Sequence, residues 1–134
     1  MKQIPIYRAK KKDSDEYVYG YYTERVPHYL SGRHYIHFYN EATATYEKID
    51  PTTLAIHFPD MLDSQGNKIF ASLSEDGKGG DILDRNGDLF YVIYKSVNGR
   101  FEAYEISGIH HLLAHKFHQG RVVGIHKWTP TLKH

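Results

Sequence analysis

The sequence has 134 residues, a formal net charge of +1 and an aromatic content of 14%, which excludes a disordered chain and fits one domain or two small subdomains that share a core. No apolar run is long enough to cross a membrane, and the N-terminal residues lack the apolar stretch of a signal peptide, so we expect a cytoplasmic protein without a membrane partner. The chain has no cysteine, which excludes disulfides, thiolate metal sites and a cysteine nucleophile.

Charge is distributed unevenly along the chain. Residues 1–33 carry seven Lys or Arg against four Asp or Glu, residues 34–94 carry four against ten, and residues 95–134 carry six against two. Basic ends around an acidic middle indicate either a nucleic-acid face or ends that dock on the middle by electrostatic attraction. Of these two interpretations the second is favoured.

Most of the chain has the pattern of short β-strands. Residues 17–22 are rich in tyrosine, and their alternation places Tyr17, Tyr19 and Tyr21 on one face. The run at residues 88–95 is apolar on both faces, which is typical of a central strand. Further strands are predicted at residues 34–39, 44–49, 53–58, 68–71, 100–106 and 121–128.

Asparagine–glycine pairs mark turns in the C-terminal half. Asn86-Gly87 comes directly before the strand at 88–95, and Asn98-Gly99 follows it. Because Asn-Gly supplies the positive φ angles of tight turns, the strands at 88–95 and 100–106 are predicted to form a hairpin. Many short strands with turns at regular spacing favour an all-β sandwich or a small barrel.

Two segments depart from the strand pattern. Residues 107–117 are predicted to form one short helix, because their apolar residues fall about three and four positions apart. The polar, glycine-rich segment 72–81 is predicted to be a flexible loop. This loop is a candidate boundary between an N-terminal β unit, residues 1–71, and a C-terminal unit, residues 80–134.

Four sequence motifs follow one another along the chain. They are Tyr7-Arg8-Ala9-Lys10 with Tyr17-Val18-Tyr19-Gly20-Tyr21-Tyr22, then Ile49-Asp50-Pro51-Thr52-Thr53-Leu54, then Met61 to Phe70 with Gly80-Asp81-Ile82-Leu83, and last Val122-Val123-Gly124-Ile125-His126 with Pro130 and Leu132. In this order they resemble the motifs of the YopX family, small proteins of bacteriophages and prophages. The similarity spans nearly the whole chain, with departures at Pro59-Asp60-Met61 and in extra residues at 71–79.

The resemblance implies a fold and an origin but no assigned chemistry. The fold is an all-β, YopX-like domain over residues 1–134, with a small SH3-like β-barrel as its C-terminal part, packed against the N-terminal antiparallel β unit. The origin is a phage or prophage, and hence the cytoplasm of a bacterial host. No catalytic residue or cofactor is implied, because no activity is established for the family. Within the motifs, residues 63–67 are interpreted as a polar turn, and Asp81 as a residue that accepts backbone N–H bonds beside a buried strand.

The C-terminal third is rich in histidine. On the predicted helix, His111 and His115 lie four residues apart on one face, a spacing that can bind zinc. Residues 107–118 contain no carboxylate that would complete such a site. Surface or half-buried histidines are therefore the favoured interpretation, and no metal is predicted.

No other motif indicates catalysis. Residues 84–88 alternate like a calcium loop, but Leu89 and Lys95 occupy the positions that require Gly and Glu, so a hairpin turn is predicted there. Residues 77–80 combine glycines with a lysine but lack the frame of a phosphate loop. No serine lies in a nucleophile elbow. We therefore predict that the protein is not an enzyme and has no cofactor.

Basic and aromatic residues lie close together near the N-terminus, as in small β-barrels that bind single strands. The candidate nucleic-acid-binding residues are Lys10, Lys11, Lys12, Tyr17, Tyr19, Tyr21, Arg121 and Lys127. The competing interpretation is that the tyrosines belong to the core and that the lysines belong to a solvated hairpin tip. Burial of all three tyrosines would exclude a surface for stacking bases.

The leading functional hypothesis is a non-enzymatic, phage- or prophage-derived binding protein whose partner is a host or phage protein, since strand edges and aromatic residues are plentiful. The alternative is a small nucleic-acid-binding β-barrel module. A hydrolase or metalloenzyme that uses His111 and His115 is the least favoured. An unpaired edge strand could also pair with its own copy, so a homo-oligomer is compatible with the sequence.

Overall fold

A computed structural model describes residues 6–23, 34–40, 43–108 and 110–127. Most of these residues lie in strands, which confirms the predicted all-β class. The strands are β1 (Ile6–Lys10), β2 (Tyr17–Thr23), β3 (Tyr35–Asn40), β4 (Thr43–Lys48), β5 (Ala55–His57), β6 (Ala71–Ser72), β7 (Asp81–Arg85), β8 (Asp88–Lys95), β9 (Arg100–Glu105), β10 (His111–Leu113) and β11 (Arg121–Ile125). Two 3-10 helices cover Pro51–Thr53 and Ala114–Gln119.

The described strands form one sheet, which is not closed into a barrel. Its main path runs β10-β9-β8-β6-β5-β1-β2-β3-β4, and β7 pairs with both β8 and β11 beside this path. The pairing of β6 with β8 is parallel, and the other pairings are antiparallel. As predicted, β8 is central, because it pairs with β9 along one edge and with β7 and β6 along the other.

The C-terminal strands have the order β11-β7-β8-β9-β10, and the second 3-10 helix lies between β10 and β11 in the chain. Alternate residues of these strands point to one apolar cluster, as the two-residue period of a strand requires. The buried members of this cluster are Ile69, Ala71, Leu83, Phe90, Val92, Ala103, Leu112 and Phe117.

The N-terminal strands bury a second, smaller apolar cluster. It consists of Ala9, Ile36, Ile49 and Leu54, with half-buried Tyr7, Val18, Tyr22 and Leu73 packed against it. The sheet runs without interruption from one cluster to the other through β8, β6, β5 and β1. Among the helices of the described residues, none has the length and apolar character to cross a membrane.

Three predicted turns are present. Asn86 and Gly87 both have positive φ, 57° and 93°, and join β7 to β8 as a tight hairpin. The predicted hairpin of β8 and β9 is also confirmed. In the polar turn at residues 63–67, the buried carboxylate of Asp63 accepts the backbone N–H groups of Gln65 and Asn67 at 2.8 Å.

The short helix predicted at residues 107–117 is only partly correct, because only its C-terminal part overlaps a helix, the 3-10 helix Ala114–Gln119. Its place is taken by strand β10 and the second 3-10 helix, and Leu112 pairs with Ala103 of β9. Leu112 is buried whereas Leu113 is exposed, so the apolar residues alternate with the period of a strand rather than that of a helix. The neighbouring edge of β9 accepts this short strand and overrides the helical spacing.

The segment at residues 72–81, predicted to be a flexible loop, connects β6 to β7 and is partly buried. Ser72 and Asp81 belong to strands, and Gly77, Gly79 and Gly80 are buried. A Cβ atom on Gly79 would lie 2.1 Å from the carbonyl oxygen of Thr53, so only glycine allows this close approach. The predicted strand at 121–128 ends at Ile125; Trp128, Pro130 and Leu132 lie outside the described residues, as does Ile109.

Candidate functional site

The predicted row of tyrosines lies on one face of β2. Tyr19 is 52% exposed and Tyr21 is 43% exposed, while Tyr17 is half-buried. On the other face of the strand, Val18 and Tyr22 pack against the N-terminal cluster. The strand therefore separates a core face from an aromatic surface, and the tyrosines are not buried in the core.

Cross-strand neighbours extend this aromatic surface. Tyr21 is paired with His37 on β3, and His37 is paired with Tyr46 on β4. The rings of His37 and Tyr46 are stacked, with centroids 4.7 Å apart and an interplanar angle of 7°. We call Tyr17, Tyr19, Tyr21, His37 and Tyr46 the tyrosine face.

The side chain of Arg8 packs beside the tyrosine face. Arg8 is the register partner of Tyr19, and its guanidinium lies 2.9 Å from the carboxylate of Asp81 and 4.6 Å from the centre of the Phe70 ring. The same guanidinium donates to the carbonyl of Gly79 at 2.7 Å. The ring of Tyr19 contacts the ring of Phe70 edge to face, with centroids 5.6 Å apart. The buried pair of Arg8 and Asp81 thus lies next to Phe70, the residue that supports the exposed ring of Tyr19.

The carboxylate of Asp81 is itself held in place. One of its oxygens accepts the backbone N–H of Phe70 at 2.8 Å, as expected from its motif. Burial raises the pKa of Asp81, while the positive charge of Arg8 and the bond from Phe70 act against that rise. The pair also joins two of the quoted motifs, because Arg8 belongs to the first and Asp81 to the third.

A small cavity opens at the Tyr17 end of the tyrosine face. Its volume is about 160 Å³. The residues that line it are Lys10, Asp15, Tyr17, Thr53, Lys78, His126 and Lys127, and we call it the lysine cavity. These residues come from the β1–β2 hairpin, the first 3-10 helix, the segment before β7 and the end of β11.

Backbone hydrogen bonds bring the distant parts of the cavity together. The N–H of Gly79 donates to the carbonyl of His126 at 2.9 Å, and the N–H of His126 donates to the carbonyl of Gly80 at 2.7 Å. The hydroxyl of Ser72 donates to the carbonyl of Lys78 at 2.7 Å. The backbone of Lys78 is thus fixed beside His126 although the two residues are far apart in sequence.

The ring of His126 forms part of the cavity wall. It is 7% exposed and stacks on Tyr91 with ring centroids 4.8 Å apart. Its Nε2 atom is buried and has no hydrogen-bond partner among the described residues. Burial lowers the pKa of His126, and the nearby Asp76 opposes this only in part.

The structure brings together some of the predicted binding residues and separates others. Lys10, Tyr17 and Lys127 line one cavity, with Tyr19 and Tyr21 next along the strand. Lys12 is exposed at the hairpin tip, and the ammonium of Lys11 pairs with Glu16 at 3.1 Å.

Arg121 does not belong to this site. It lies at the start of β11, the opposite end of that strand from Lys127, and its guanidinium is 3.6 Å from the carboxylate of Asp84. Its inclusion with the lysines near the N-terminus is therefore not supported by its position.

The geometry assumed for a histidine metal site is also wrong. His111 lies on β10 and His115 on the following 3-10 helix, both exposed, so the one-face helical spacing does not exist. Across residues 6–23, 34–40, 43–108 and 110–127, no three His, Asp or Glu side chains form a group that could hold a metal ion.

Sequence reasoning missed four cavity residues: Asp15, Thr53, Lys78 and His126. The glycines around Lys78 are the local signal for this part of the cavity, because glycine allows a close approach of the backbone. His126 is buried, which corrects the expectation of surface or half-buried histidines in the C-terminal third.

The comparisons add no relative: no family model, no curated protein and no solved structure matches this chain. The resemblance to the YopX family accordingly stays a prediction that rests on the quoted motifs.

Proposed function

We propose that this chain is a non-enzymatic binding protein and that its tyrosine face binds single-stranded nucleic acid. The observation that carries the proposal is the exposure of Tyr19 and Tyr21 on a strand whose other face is core. Exposed aromatic rings stack with unpaired bases, and nearby cations hold the phosphate backbone. Lys10, which is paired with Tyr17, places such a cation at the end of the row.

The spacing of the rings favours an extended single strand. Residues two apart on a strand are separated by about 6.6 Å, so the tyrosines form a regular row rather than a cluster. The bases of a duplex are already stacked on one another and do not present their faces to such a row. We therefore expect single strands to bind more tightly than duplexes of the same length.

The finer fold prediction belongs to this proposal. The strand order β11-β7-β8-β9-β10, with a 3-10 helix before the last strand, is typical of SH3-like barrels and supports an SH3-like C-terminal part. Membership of the YopX family and a phage or prophage origin are supported by the order of the sequence motifs alone. A fold by itself names no ligand, so the functional proposal depends on the tyrosine face.

A protein partner is the second candidate function. Within the described sheet β4 and β10 are outermost, and each pairs with one neighbour, so each offers an open edge to an extended segment of a host or phage protein or of a second copy. Such binding would not require Tyr19 and Tyr21. The two candidates therefore make different predictions for the same variants.

The test is fluorescence anisotropy with labelled single- and double-stranded DNA and RNA at about 50 and 200 mM salt. We expect single strands to bind most tightly and to weaken as salt rises. Tyr19→Ala with Tyr21→Ala should cost about 1–3 kcal/mol for each stacked base that is lost. The matched control is Tyr19→Phe with Tyr21→Phe, which keeps both rings and should keep the affinity. Flat titrations with every nucleic acid would overturn the proposal in favour of a protein partner.

A further inference from the structure

The lysines of the lysine cavity have no acidic partner. No described carboxylate lies within ion-pair distance of the ammonium groups of Lys10, Lys78 or Lys127, whereas Lys11 pairs with Glu16 and Lys95 with Glu102. Among the described residues, the ammonium of Lys10 donates to the carbonyl oxygens of Lys11 and Ser14, at 3.1 and 2.9 Å. Three lysines therefore line one small space, and none of their ammonium groups forms an ion pair with a described carboxylate.

The acidic residues near the cavity offset part of this charge from a distance, but no described carboxylate forms an ion pair with its lysines. Asp15 is the only carboxylate among the lining residues that the structure describes, and it is exposed. Asp50 is already occupied, because its carboxylate accepts both the N–H and the hydroxyl of Thr52. Burial alone would raise the pKa of Asp50, but the bonds from Thr52 and the charges of Lys78 and Lys10 hold that pKa below its ordinary value.

The Nε2 atom of His126 is a second, independent sign of a ligand. A buried polar atom without a partner is costly, and in folded proteins such atoms usually have one. The hydroxyl of Thr53 cannot serve, since it already accepts from the N–H of Lys10 and donates to the carbonyl of Asp50. Because Nε2 has almost no accessible surface, a ligand oxygen inside the cavity becomes its partner only with a small shift of the His126 ring.

Size and chemistry limit the ligand to a small anion. At about 160 Å³ the cavity is smaller than the roughly 300–1,000 Å³ of pockets for drug-sized molecules. Ammonium groups favour an oxyanion that accepts several hydrogen bonds at once. The oxygens of a phosphate meet this requirement, and the Nε2 of His126 can accept from a protonated phosphate or, when protonated, donate to a fully ionised one.

We infer that the lysine cavity binds the phosphate group of a nucleotide through the ammonium groups of Lys10, Lys78 and Lys127 and the Nε2 of His126. This inference rests on the proposed function and deepens it, because Tyr17 belongs both to the cavity wall and to the tyrosine face. A phosphate held here fixes one end of a strand, and the following bases lie over Tyr19 and Tyr21.

The first experiment uses mononucleotides with the full chain. Calorimetry and amide NMR are recorded with inorganic phosphate, AMP and adenosine as probes. We expect phosphate and AMP to shift the amides of Lys78, Gly79, His126 and Lys127, and adenosine, which lacks the phosphate, to bind at least about tenfold more weakly than AMP. Phosphate and AMP that leave these amides unmoved at millimolar concentration would overturn the inference.

Variants then assign the binding to the cavity. Lys78→Gln with Lys127→Gln should weaken AMP binding about tenfold or more, because charge-assisted hydrogen bonds are lost. Lys116→Gln, which changes an exposed lysine outside the cavity, is the matched control and should bind AMP as the unchanged protein does. Equal affinity of the cavity variant and the control would contradict the assignment.

A final pair of probes separates this inference from the proposed function. Two labelled oligothymidines of equal length, one with a 5′-phosphate and one with a 5′-hydroxyl, are titrated into the protein. Tighter binding of the 5′-phosphorylated strand supports the cavity as a site for a terminal phosphate. Binding of AMP without binding of any oligonucleotide supports a mononucleotide site and overturns the proposed function. Oligonucleotide binding that depends on Tyr19 and Tyr21 but not on Lys78 and Lys127 keeps the proposed function and overturns the cavity.

Discussion

Arg8 and Lys10 lie two residues apart on the same face of β1, yet the charge of Arg8 is buried in an ion pair and the charge of Lys10 is not. Arg8 is buried against Asp81, a carbonyl and an aromatic ring. Lys10 faces the lysine cavity and has no described carboxylate within ion-pair distance. One strand therefore carries a cation that holds the fold together and a cation that is available to a ligand.

The difference follows from the solvation of charge. A guanidinium that loses water needs an opposite charge and hydrogen-bond acceptors, or the fold becomes unstable. An ammonium beside an open cavity keeps part of its hydration and can exchange it for a ligand oxygen. Changes at Arg8 should hence act on stability, and changes at the cavity lysines should act on binding.

The largest effect is expected for Arg8→Met. This change leaves the buried carboxylate of Asp81 without its counter-charge, and removal of one partner of a buried pair costs about 3–5 kcal/mol. Urea unfolding followed by circular dichroism measures the free energy of unfolding. Arg8→Met with Asp81→Asn removes both charges and should be less destabilised than Arg8→Met alone. A double variant that is no more stable than the single one would show that the charge pair is not the source of the loss.

Gly79→Ala should have the next largest effect, because Gly79 bonds to Arg8 and is the chain neighbour of the cavity residue Lys78. Its carbonyl accepts from Arg8, and it follows Lys78 directly. The new Cβ would lie 2.1 Å from the carbonyl oxygen of Thr53 at a φ of +87°, so both a clash and backbone strain are expected. Strain at positive φ alone costs about 1–2 kcal/mol.

The matched control for that clash is Gly66→Ala. Gly66 has a φ of +82°, but a Cβ atom there meets nothing within 4 Å, so the control carries the strain without the clash. We expect thermal unfolding to show a larger loss for Gly79→Ala than for Gly66→Ala. The cavity should also change shape, so that AMP affinity falls for Gly79→Ala only. Equal losses would show that the approach of Gly79 to Thr53 tolerates a side chain.

A smaller effect is expected from pH, through two buried histidines. Burial lowers the pKa of His57, whose Nδ1 lies 3.0 Å from the carbonyl of Ile69, and likewise lowers the pKa of His126. The folded protein binds these protons less tightly than the unfolded chain does. The two histidines therefore contribute their full stabilisation above the unfolded pKa of about 6.5, and this contribution is lost as the pH falls below that value. The free energy of unfolding should therefore decrease between pH 7.5 and pH 5.

His57→Gln and His126→Gln are the checks on that profile, and each should flatten it. Asp81 acts in the opposite sense, because its raised pKa favours the folded state at lower pH. The pKa of Asp63 is lowered, because its bonds to backbone N–H groups outweigh the effect of burial. Asp63 therefore changes the free energy of unfolding only below its ordinary pKa of 3.8, outside the range from pH 7.5 to pH 5. If the free energy of unfolding falls with pH as steeply in both histidine variants as in the unchanged protein, the two histidines are not the source of the pH dependence.

Local patterns in the sequence predicted the tyrosine face but not the lysine cavity. The period of two in residues 17–22 depends only on neighbours along the chain, and the Asn-Gly hairpins are local in the same way. The cavity joins Lys10, Lys78 and His126, which meet through the pairing of β7 with β11 and the contact of Gly79 with Thr53. Long-range pairing of this kind has no signature in a single sequence.

Two other segments show how the environment overrides a local pattern. The sequence pattern predicts no strand at β1, since the charged Arg8 occupies a position where a strand normally buries an apolar side chain. The burial of Arg8 depends on its ion pair with Asp81, which lies far along the chain. The apolar residues of 107–117 fit a helix by spacing, but the edge of β9 was free to pair with β10. In both places the deciding partner is distant in sequence.

The smallest effect on stability is expected for Lys78→Gln with Lys127→Gln, which completes the contrast with Arg8. Neither lysine has an ion pair among the described residues, so the free energy of unfolding should stay within about 0.5 kcal/mol of the unchanged protein. Binding should nevertheless respond: with two cations lost, the slope of log affinity against log salt for a single strand should become shallower by about 1.4. Anisotropy at several salt concentrations measures this slope, with Lys116→Gln as the control. A variant that is destabilised as strongly as Arg8→Met would mean that the cavity lysines are structural cations too, and the distinction between the two residues of β1 would be lost.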